Sequence, residues 1–262
     1  MSFRALHIPG DPFVIPNPWD VGSARMFAGL GFPALASTSA GAAFAMGKTD
    51  GSLNGAQLRD AAVAIKQATG LPVNADLEHG GGNRPSDAAD GIAQACRANL
   101  DGASIEDLDT SGHIFPFDHA LARITAAVAA NQDKALVLTA RTEIMLSKAP
   151  NFDEVLRRIT AFAKAGADVL FAPGLTEAAQ IKAVVKAAQG LPVNVLVGNN
   201  APGLTKHELA ELGVARISFG SGLARAAYGA ALGIADTLLE TGQITYPDTT
   251  ASFSKIDDLL SD

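Results

Sequence analysis

The chain has 262 residues, of which 48% are hydrophobic and 18% charged, with a net charge of −7. This length suits one (β/α)₈ barrel of roughly 250 residues, and the apolar fraction excludes a disordered chain. The acidic balance argues against nucleic-acid and membrane partners. One cysteine, Cys96, excludes a disulfide scaffold and a cysteine-based zinc site. We find no secretory signal and no membrane span, and we expect a cytoplasmic protein.

Short β-rich runs alternate with longer helical runs along the chain. The predicted strands are nearly continuously apolar, as in parallel strands covered on both faces, and cover 13–15, 34–38, 72–77, 102–106, 135–140, 168–172, 192–197 and 216–219. Helical periodicity predicts helices over 54–69, 87–99, 152–165, 176–189 and 223–240. Eight such strand–helix units predict a (β/α)₈ TIM barrel of the α/β class, as one domain over 1–262.

An arm follows the predicted barrel at 249–262. Its apolar residues Phe253, Ile256, Leu259 and Leu260 have helical spacing. The pattern predicts a short amphipathic helix that docks on its own barrel or on a neighbour.

Acidic residues follow three neighbouring predicted strands. Asp76 and Glu78 end the third strand, Glu106 ends the fourth, and Asp50 lies in the loop after the second. Strand ends and the loops after them build the active site of a barrel, so these side chains meet at one mouth. Clustered carboxylates repel each other and their ionised forms need a cation. Oxygen ligands select Mg²⁺ or Mn²⁺ over zinc.

Arg141 ends the fifth predicted strand at the same mouth. Its planar guanidinium provides two parallel donors for a substrate carboxylate. The alternative is that these charged groups are solvated loop acids and a structural ion pair. A further possibility is a phosphate site at Gly220-Ser221-Gly222, where a helix begins after the eighth strand.

Four motifs occur in this order along the chain: Gly47-Lys48-Thr49-Asp50, Pro72-Val73-Asn74-Ala75-Asp76-Leu77-Glu78, Ser104-Ile105-Glu106-Asp107 and Thr139-Ala140-Arg141-Thr142-Glu143. With them, nearly the whole chain resembles the isocitrate lyase and phosphoenolpyruvate mutase superfamily. The resemblance implies a Mg²⁺-dependent enzyme acting on small 2-oxo or 2-hydroxy carboxylates. Such enzymes form or cleave C–C or P–C bonds next to an enolate.

The resemblance also implies a metal site. By motif position, Asp76 is the direct metal ligand. Three further carboxylates act mostly through metal-bound waters: Glu78, Glu106 and Asp50. We expect Asp50 to be a catalytic residue as well.

For the substrate, the resemblance implies that the Thr38-Ser39-Ala40 turn offers hydroxyl and backbone N–H groups to a carboxylate. Arg141 holds the same carboxylate or the oxo oxygen, and is both a binding and a catalytic residue. Because this superfamily forms tetramers by exchanging a C-terminal helix, we expect a homotetramer with the arm exchanged between subunits.

The loop after the fourth strand departs from the superfamily pattern. Lyases carry Lys-x-Cys-Gly-His there, whereas this chain has Ser111-Gly112-His113 and no cysteine. The lysine and asparagine of the mutase loop are also absent, and Pro173 stands after the sixth strand, where lyases often have Glu and mutases His. Among the reactions of the superfamily, an oxaloacetate decarboxylase-like or related C–C cleavage requires least from the residues of such a loop.

Two alternatives to a lyase or decarboxylase remain. One is a phosphoenolpyruvate mutase or phosphonopyruvate hydrolase acting on a P–C bond. The other is a metal-dependent dicarboxylate-binding protein without turnover.

A proton donor is expected in the same loop. Its unperturbed pKa near 6.5 makes His113 the preferred catalytic acid. We expect 107–116 to be mobile in the empty site and to close over substrate, because glycines in the loops at the mouth permit large backbone changes.

Overall fold

A computed structural model describes residues 2–132, 136–198, 203–243 and 246–261. In these ranges eight strands alternate with helices: β1 Phe13–Ile15, β2 Leu35–Ala36, β3 Val73–Asp76, β4 Gly102–Glu106, β5 Val137–Arg141, β6 Val169–Phe171, β7 Val193–Leu196 and β8 Arg216–Ser218. The described helices are α1 Val21–Gly29, α2 Ser39–Ala45, α3 Gly55–Thr69, α4 Pro85–Arg97, α5 Phe117–Ala130, α6 Phe152–Ala165, α7 Ala178–Ala187, α8 Lys206–Glu211, α9 Gly222–Thr241 and α10 Phe253–Leu260.

The strands form one parallel sheet in the order β1-β8-β7-β6-β5-β4-β3-β2. Between β1 and β2 the Ala36 N–H donates to Pro16 O at 3.0 Å, which closes the sheet on itself. The predicted TIM barrel is therefore confirmed. The prediction that the fifth strand begins at Ala135 falls outside the described residues.

The observed strands are shorter than predicted where the chain turns early into a helix. Thr38 caps α2 by accepting the Gly41 N–H on its hydroxyl, so β2 ends at Ala36. The predicted helix at 87–99 begins earlier, at Pro85, because proline is well suited to a first helical turn. The apolar stripes of the helices cover the outside of the sheet and contribute fully buried side chains such as Ile92, Ile124 and Phe162.

The N-terminal segment covers the bottom of the barrel. A 3₁₀ turn at Phe3–Leu6 leads to His7, whose ring packs edge-to-face against Phe3 and Phe13 with centroids 4.8 and 4.9 Å apart. A Cβ at Gly102, where β4 begins, would lie 2.7 Å from the Phe3 ring. Glycine is needed there so that the N-terminal segment can approach the strand.

Helix α9 is exposed along most of its length. Ala224 is its one buried side chain, and Leu239 is 83% exposed. Helix α10 confirms the predicted amphipathic helix and packs on α1 of the same chain, where Leu259 lies against Gly29. Its exchange between subunits stays a prediction, and Asp262 lies outside the described residues. Within the described ranges, no helix combines the length and apolar character needed to cross a membrane.

Candidate active site

A cavity of about 540 Å³ opens at the carboxyl ends of the strands and extends into the barrel. Barrels are usually filled by bulky branched side chains. Here small or polar residues from the strands line the space: Ala36, Asn74, Ser104, Asn194 and Ser218. These side chains leave the interior hollow.

Asp76 stands at the upper part of this cavity, where β3 ends. Its Oδ2 accepts hydrogen bonds from the Ser39 N–H at 3.1 Å and the Ser39 hydroxyl at 3.0 Å. Its Oδ1 is 3.4 Å from both Arg141 Nη1 and Ser104 Oγ. The carboxylate is therefore held between α2, β4 and β5.

Arg141 lies among carboxylates. Its Nε donates to Glu143 and is 3.4 Å from Glu106 Oε2, and its guanidinium lies over the Phe171 ring at 5.3 Å from the centroid. Burial acts to lower the pKa of Arg141, but Glu143, Glu106 and Asp76 raise it well above its ordinary value. The guanidinium is thus a permanent positive charge at the mouth.

Two glutamates behind Asp76 are costly to ionise. Burial, followed by the charge of Asp76, raises the pKa of Glu78 to about 7. Burial also raises the pKa of Glu106 to about 8, against the opposing effect of Arg141. Glu78 has φ of +49°, a left-handed conformation that is uncommon outside glycine and is often found at functional sites.

This donor set fits a hard divalent cation. It contains several carboxylates but one guanidinium, and a cation would relieve the repulsion between the carboxylates. Among the described residues, no group of three His, Cys, Asp or Glu side chains could by itself hold a metal ion. Mg²⁺ commonly keeps several waters, so one direct ligand, Asp76, would be enough.

The structure brings most of the predicted site residues together. Those that line the cavity are Thr38, Ser39, Ala40, Asp50, Asp76 and Arg141. Glu78 and Glu106 lie beside Asp76 and Arg141 but do not line the cavity, as their electrostatic contacts and burial show. Gly220, Ser221 and Gly222 also line it, so the loop after β8 belongs to the same mouth.

His113 is not brought to the cavity. Its side chain is 79% exposed, and its Nδ1 lies 3.5 Å from Asp109 Oδ2. The tip of the loop is folded on itself, because Asp109 Oδ1 accepts the N–H groups of Ser111 at 2.8 Å and His113 at 2.9 Å. A role for His113 would therefore require the loop to move.

The base of the same loop is fixed by Asp107. Its carboxylate accepts hydrogen bonds from the Thr142 hydroxyl at 2.6 Å, the Glu143 N–H at 2.8 Å and Arg158 Nη1 at 2.9 Å. Asp107 is 2% exposed. This buried network joins the end of β4 to the turn that carries Glu143.

The glycine loop after β3 is fixed by a second buried arginine. Arg123 of α5 donates to the carbonyl oxygens of His79, Gly82 and Arg84. Its guanidinium also lies over the Phe115 ring, 4.7 Å from the centroid. The loop is therefore tied to α5 despite its glycines.

Several polar residues lining the cavity were not predicted, among them Asn17, Asn194, Arg216 and Ser218. Asn17 Oδ1 accepts the N–H groups of Phe219 at 2.8 Å and Gly220 at 3.0 Å, which ties the first loop to the last. Polar residues inside otherwise apolar strands were the available signal for the other three. Such residues are unusual in a barrel interior unless the interior is used.

The comparisons with known proteins agree with this geometry. The phosphoenolpyruvate phosphomutase family model matches residues 3–239. An uncharacterised protein of Mycobacterium tuberculosis H37Rv is 35% identical over 84% of this chain and 82% of its own length. An oxaloacetate decarboxylase of Pseudomonas putida GB-1 is 29% identical over 81% of this chain and 75% of that enzyme.

Solved structures give the same picture. A Burkholderia cenocepacia J2315 protein described as a lyase/mutase has a TM-score of 0.91 and 42% identity, covering 98% of this chain and 94% of that one. A 2,3-dimethylmalate lyase, described as a member of the PEP mutase/isocitrate lyase superfamily, has a TM-score of 0.84 and 28% identity over 98% and 92% of the two chains. The extent of these matches confirms the resemblance found in the motifs: the chain belongs to the phosphoenolpyruvate phosphomutase family, within the PEP mutase/isocitrate lyase superfamily.

Proposed function

We propose that this protein is a Mg²⁺-dependent lyase or decarboxylase that cleaves a C–C bond of a small 2-oxo or 2-hydroxy carboxylate. The observation that carries the proposal is the Asp76 carboxylate, held between Ser39 and Arg141 at the mouth of a polar cavity. The similarity to an oxaloacetate decarboxylase and to a 2,3-dimethylmalate lyase supports C–C bond cleavage in a small carboxylate.

Asp76 would hold the metal, and Glu78, Glu106 and Asp50 would act mostly through metal-bound waters. When bound, Mg²⁺ would supply positive charge that stabilises the negative charge developing on the substrate during cleavage. Mn²⁺ has similar oxygen preferences and is the expected substitute.

The protein's own donors would orient the substrate carboxylate. In the turn that begins α2, the Ser39 N–H is bonded to Asp76 and the Gly41 N–H to Thr38. Ala40 lies in the first turn of α2, where backbone N–H groups have no partner within the helix, and it lines the cavity, so its N–H would donate to a ligand. Arg141 would donate from the opposite side, so that fixed donors are in place before the reaction begins.

A turnover screen of 2-oxo and 2-hydroxy acids, with Mg²⁺ or Mn²⁺, tests the proposal. We expect cleavage of oxaloacetate or a related acid, its loss on metal removal and its return when Mg²⁺ is added. Full activity in the metal-stripped protein would contradict it. Turnover of phosphonopyruvate without oxaloacetate turnover would favour a P–C bond enzyme. Metal-dependent oxalate binding without any turnover would favour a binding protein.

His113→Ala tests the proposed proton donor. If the loop closes and His113 is the general acid, turnover falls about 10²–10⁴-fold. Ser111→Ala, in the same loop, is the matched control and should have a smaller effect. Both are measured by steady-state kinetics on the substrate that the screen identifies. Unchanged turnover in His113→Ala would assign the proton to another donor.

We further propose that the protein is a homo-oligomer, in which the exposed apolar residues of α9 are covered by a second copy of the chain. These residues include Leu232, Leu238 and Leu239. Several exposed large apolar side chains on one helix commonly mark an interface. Superfamily resemblance favours a tetramer that exchanges C-terminal helices.

Deleting 249–262 should lower the assembly state measured by light scattering. The deletion removes α10 and exposes the face of α1 on which it packs. Leu239→Ser is a second variant for the same measurement, because it changes an exposed apolar residue of α9 while leaving α10 in place. A monomeric intact protein at micromolar concentration would contradict the oligomer.

A further inference from the structure

A buried arginine stands at the lower end of the cavity, below the proposed metal site. Arg216 begins β8, is 3% exposed and lines the cavity. Its Nε donates to Asn194 Oδ1 at 2.9 Å, and its Nη2 donates to Thr139 Oγ1 at 3.0 Å. Both partners are neutral.

Its third partner is neutral as well. Arg216 Nη1 is 3.2 Å from His7 Nε2, while His7 Nδ1 is 3.0 Å from Phe3 O. Burial, followed by the charge of Arg216, lowers the pKa of His7 to about 3. The ring is therefore uncharged at neutral pH. Nδ1 carries the proton and donates to Phe3 O, and Nε2 accepts from Arg216.

No carboxylate in the part of the chain that the structure describes lies within ion-pair distance of Arg216. Burial lowers its pKa to about 9, which still leaves it protonated at neutral pH. An unpaired buried charge is costly, and proteins normally pair such a group. Arg158, also buried, has Asp107 and Glu154 as ion-pair partners.

Arg216 keeps donors that the protein does not use. A guanidinium has five N–H groups, and three of those of Arg216 are accounted for by Asn194, Thr139 and His7. Close by, Asn194 Nδ2 donates to Ser218 Oγ at 2.9 Å. The Ser218 hydroxyl accepts this bond and can donate its own proton to a ligand.

The depth of this site matches the length of a small dicarboxylate. Arg216 is bonded to Thr139, and Arg141 lies two residues further along the same strand towards the mouth, about 7 Å from Thr139 along the strand. The cavity is lined by both arginines, so a single ligand can contact both. A monocarboxylate held at Arg141 would leave Arg216 unpaired.

We propose that Arg216, assisted by Ser218, binds the distal carboxylate of a substrate whose 2-oxo or 2-hydroxy acid end lies at Asp76 and Arg141. This inference rests on the proposed function and narrows its substrates to dicarboxylates. Arg216 is then a specificity residue, because it contacts the end of the substrate that is remote from the metal site.

Malate and lactate test the inference, since they share the 2-hydroxy acid group and differ in the distal carboxylate. Both are titrated by calorimetry at a fixed Mg²⁺ concentration. The wild-type protein should bind malate at least tenfold more tightly than lactate. Arg216→Gln should lose about ten- to hundredfold in malate affinity, the range for hydrogen bonds to a charged group, and bind lactate unchanged.

Arg123→Gln is the matched control, because Arg123 is also buried with neutral partners but lies outside the cavity. It should keep the preference for malate. If Arg216 has a merely structural role, Arg216→Gln should have a lower melting temperature and should lose the same factor in affinity for malate and for lactate. If Arg216→Gln does not fold, Arg216→Lys is used instead. We expect this variant to lose less affinity for malate and to bind lactate unchanged.

Two results would overturn the inference: a wild-type protein with no preference for malate, and an Arg216 variant that retains the preference. Neither depends on turnover. A protein that prefers malate through Arg216 but cleaves nothing in the screen overturns the proposed reaction alone. Cleavage without this selectivity overturns the inference alone.

Discussion

Replacing Asp76 by alanine is expected to lower turnover by orders of magnitude. The substitution removes the one direct protein ligand assigned to the metal, whose charge stabilisation is worth several kcal/mol, equivalent to about a thousandfold in rate. It also removes the acceptor that orders Ser39 and Arg141 around the carboxylate. Steady-state kinetics at saturating Mg²⁺, with a parallel calorimetric titration of Mn²⁺, measures both effects.

Thermal melting separates this loss from unfolding. Asp76 lies beside Glu78, and its removal relieves repulsion while it breaks the bonds to Ser39. The melting temperature should therefore change little. Asp60→Ala is the control, because this carboxylate is 71% exposed on α3. If Asp76→Ala still binds metal and turns over substrate, the metal site does not lie at the end of β3.

Arg141→Lys should lower kcat/KM by about a hundredfold or more although it preserves the charge. A lysine ammonium cannot reproduce the planar fork that contacts a carboxylate through two parallel bonds. It also cannot keep the simultaneous contacts of Arg141 with Glu143, Glu106 and Asp76. The expected signature is a loss of kcat/KM in a folded protein.

Arg141→Gln adds a stability test. Arg141 is partly buried and its partners Glu106 and Glu143 are buried, so removing the guanidinium costs up to about 3–5 kcal/mol in unfolding free energy, because these charges are left uncompensated. Its melting temperature should fall below that of Arg141→Lys. Arg157→Lys, on the exposed face of α6, is the control. If Arg141→Lys keeps the wild-type kcat/KM, a positive charge at this position is sufficient for activity and the planar guanidinium is not needed.

The barrel could be predicted from the sequence because its signals are local and repeated. A glycine that ends a helix followed by proline before a strand occurs at Gly70 and again at Gly190, and α3 and β7 have the bounds these joints indicate within a few residues. The bounds of β2 were less predictable. Ser37 and Thr38 look like strand residues, but they bond to the next strand and to the cap of α2 instead.

The upper site was predictable because β-strand alternation fixes which side chains share a face. Asp76, Glu106 and Arg141 all end strands, so parallel topology brings them together whatever the details of packing. Arg216 could not be found in this way, because it begins its strand and depends on His7 from the opposite end of the chain. The direction of the His113 side chain depends on local bonds to Asp109, which residue spacing does not reveal.

The attachment of the glycine loop to Arg123 has a consequence for hydrogen exchange. Loops rich in glycine usually exchange their amide protons quickly, because they open without disturbing the rest of the fold. Here opening would strip a buried guanidinium of its carbonyl partners at His79, Gly82 and Arg84. We therefore expect the amides bonded within this loop to belong to the same cooperative unfolding unit as α5. At the tip of the neighbouring 107–116 loop, the N–H groups of Ser111 and His113 are bonded to Asp109 of the same loop, and we expect these two amides to exchange earlier.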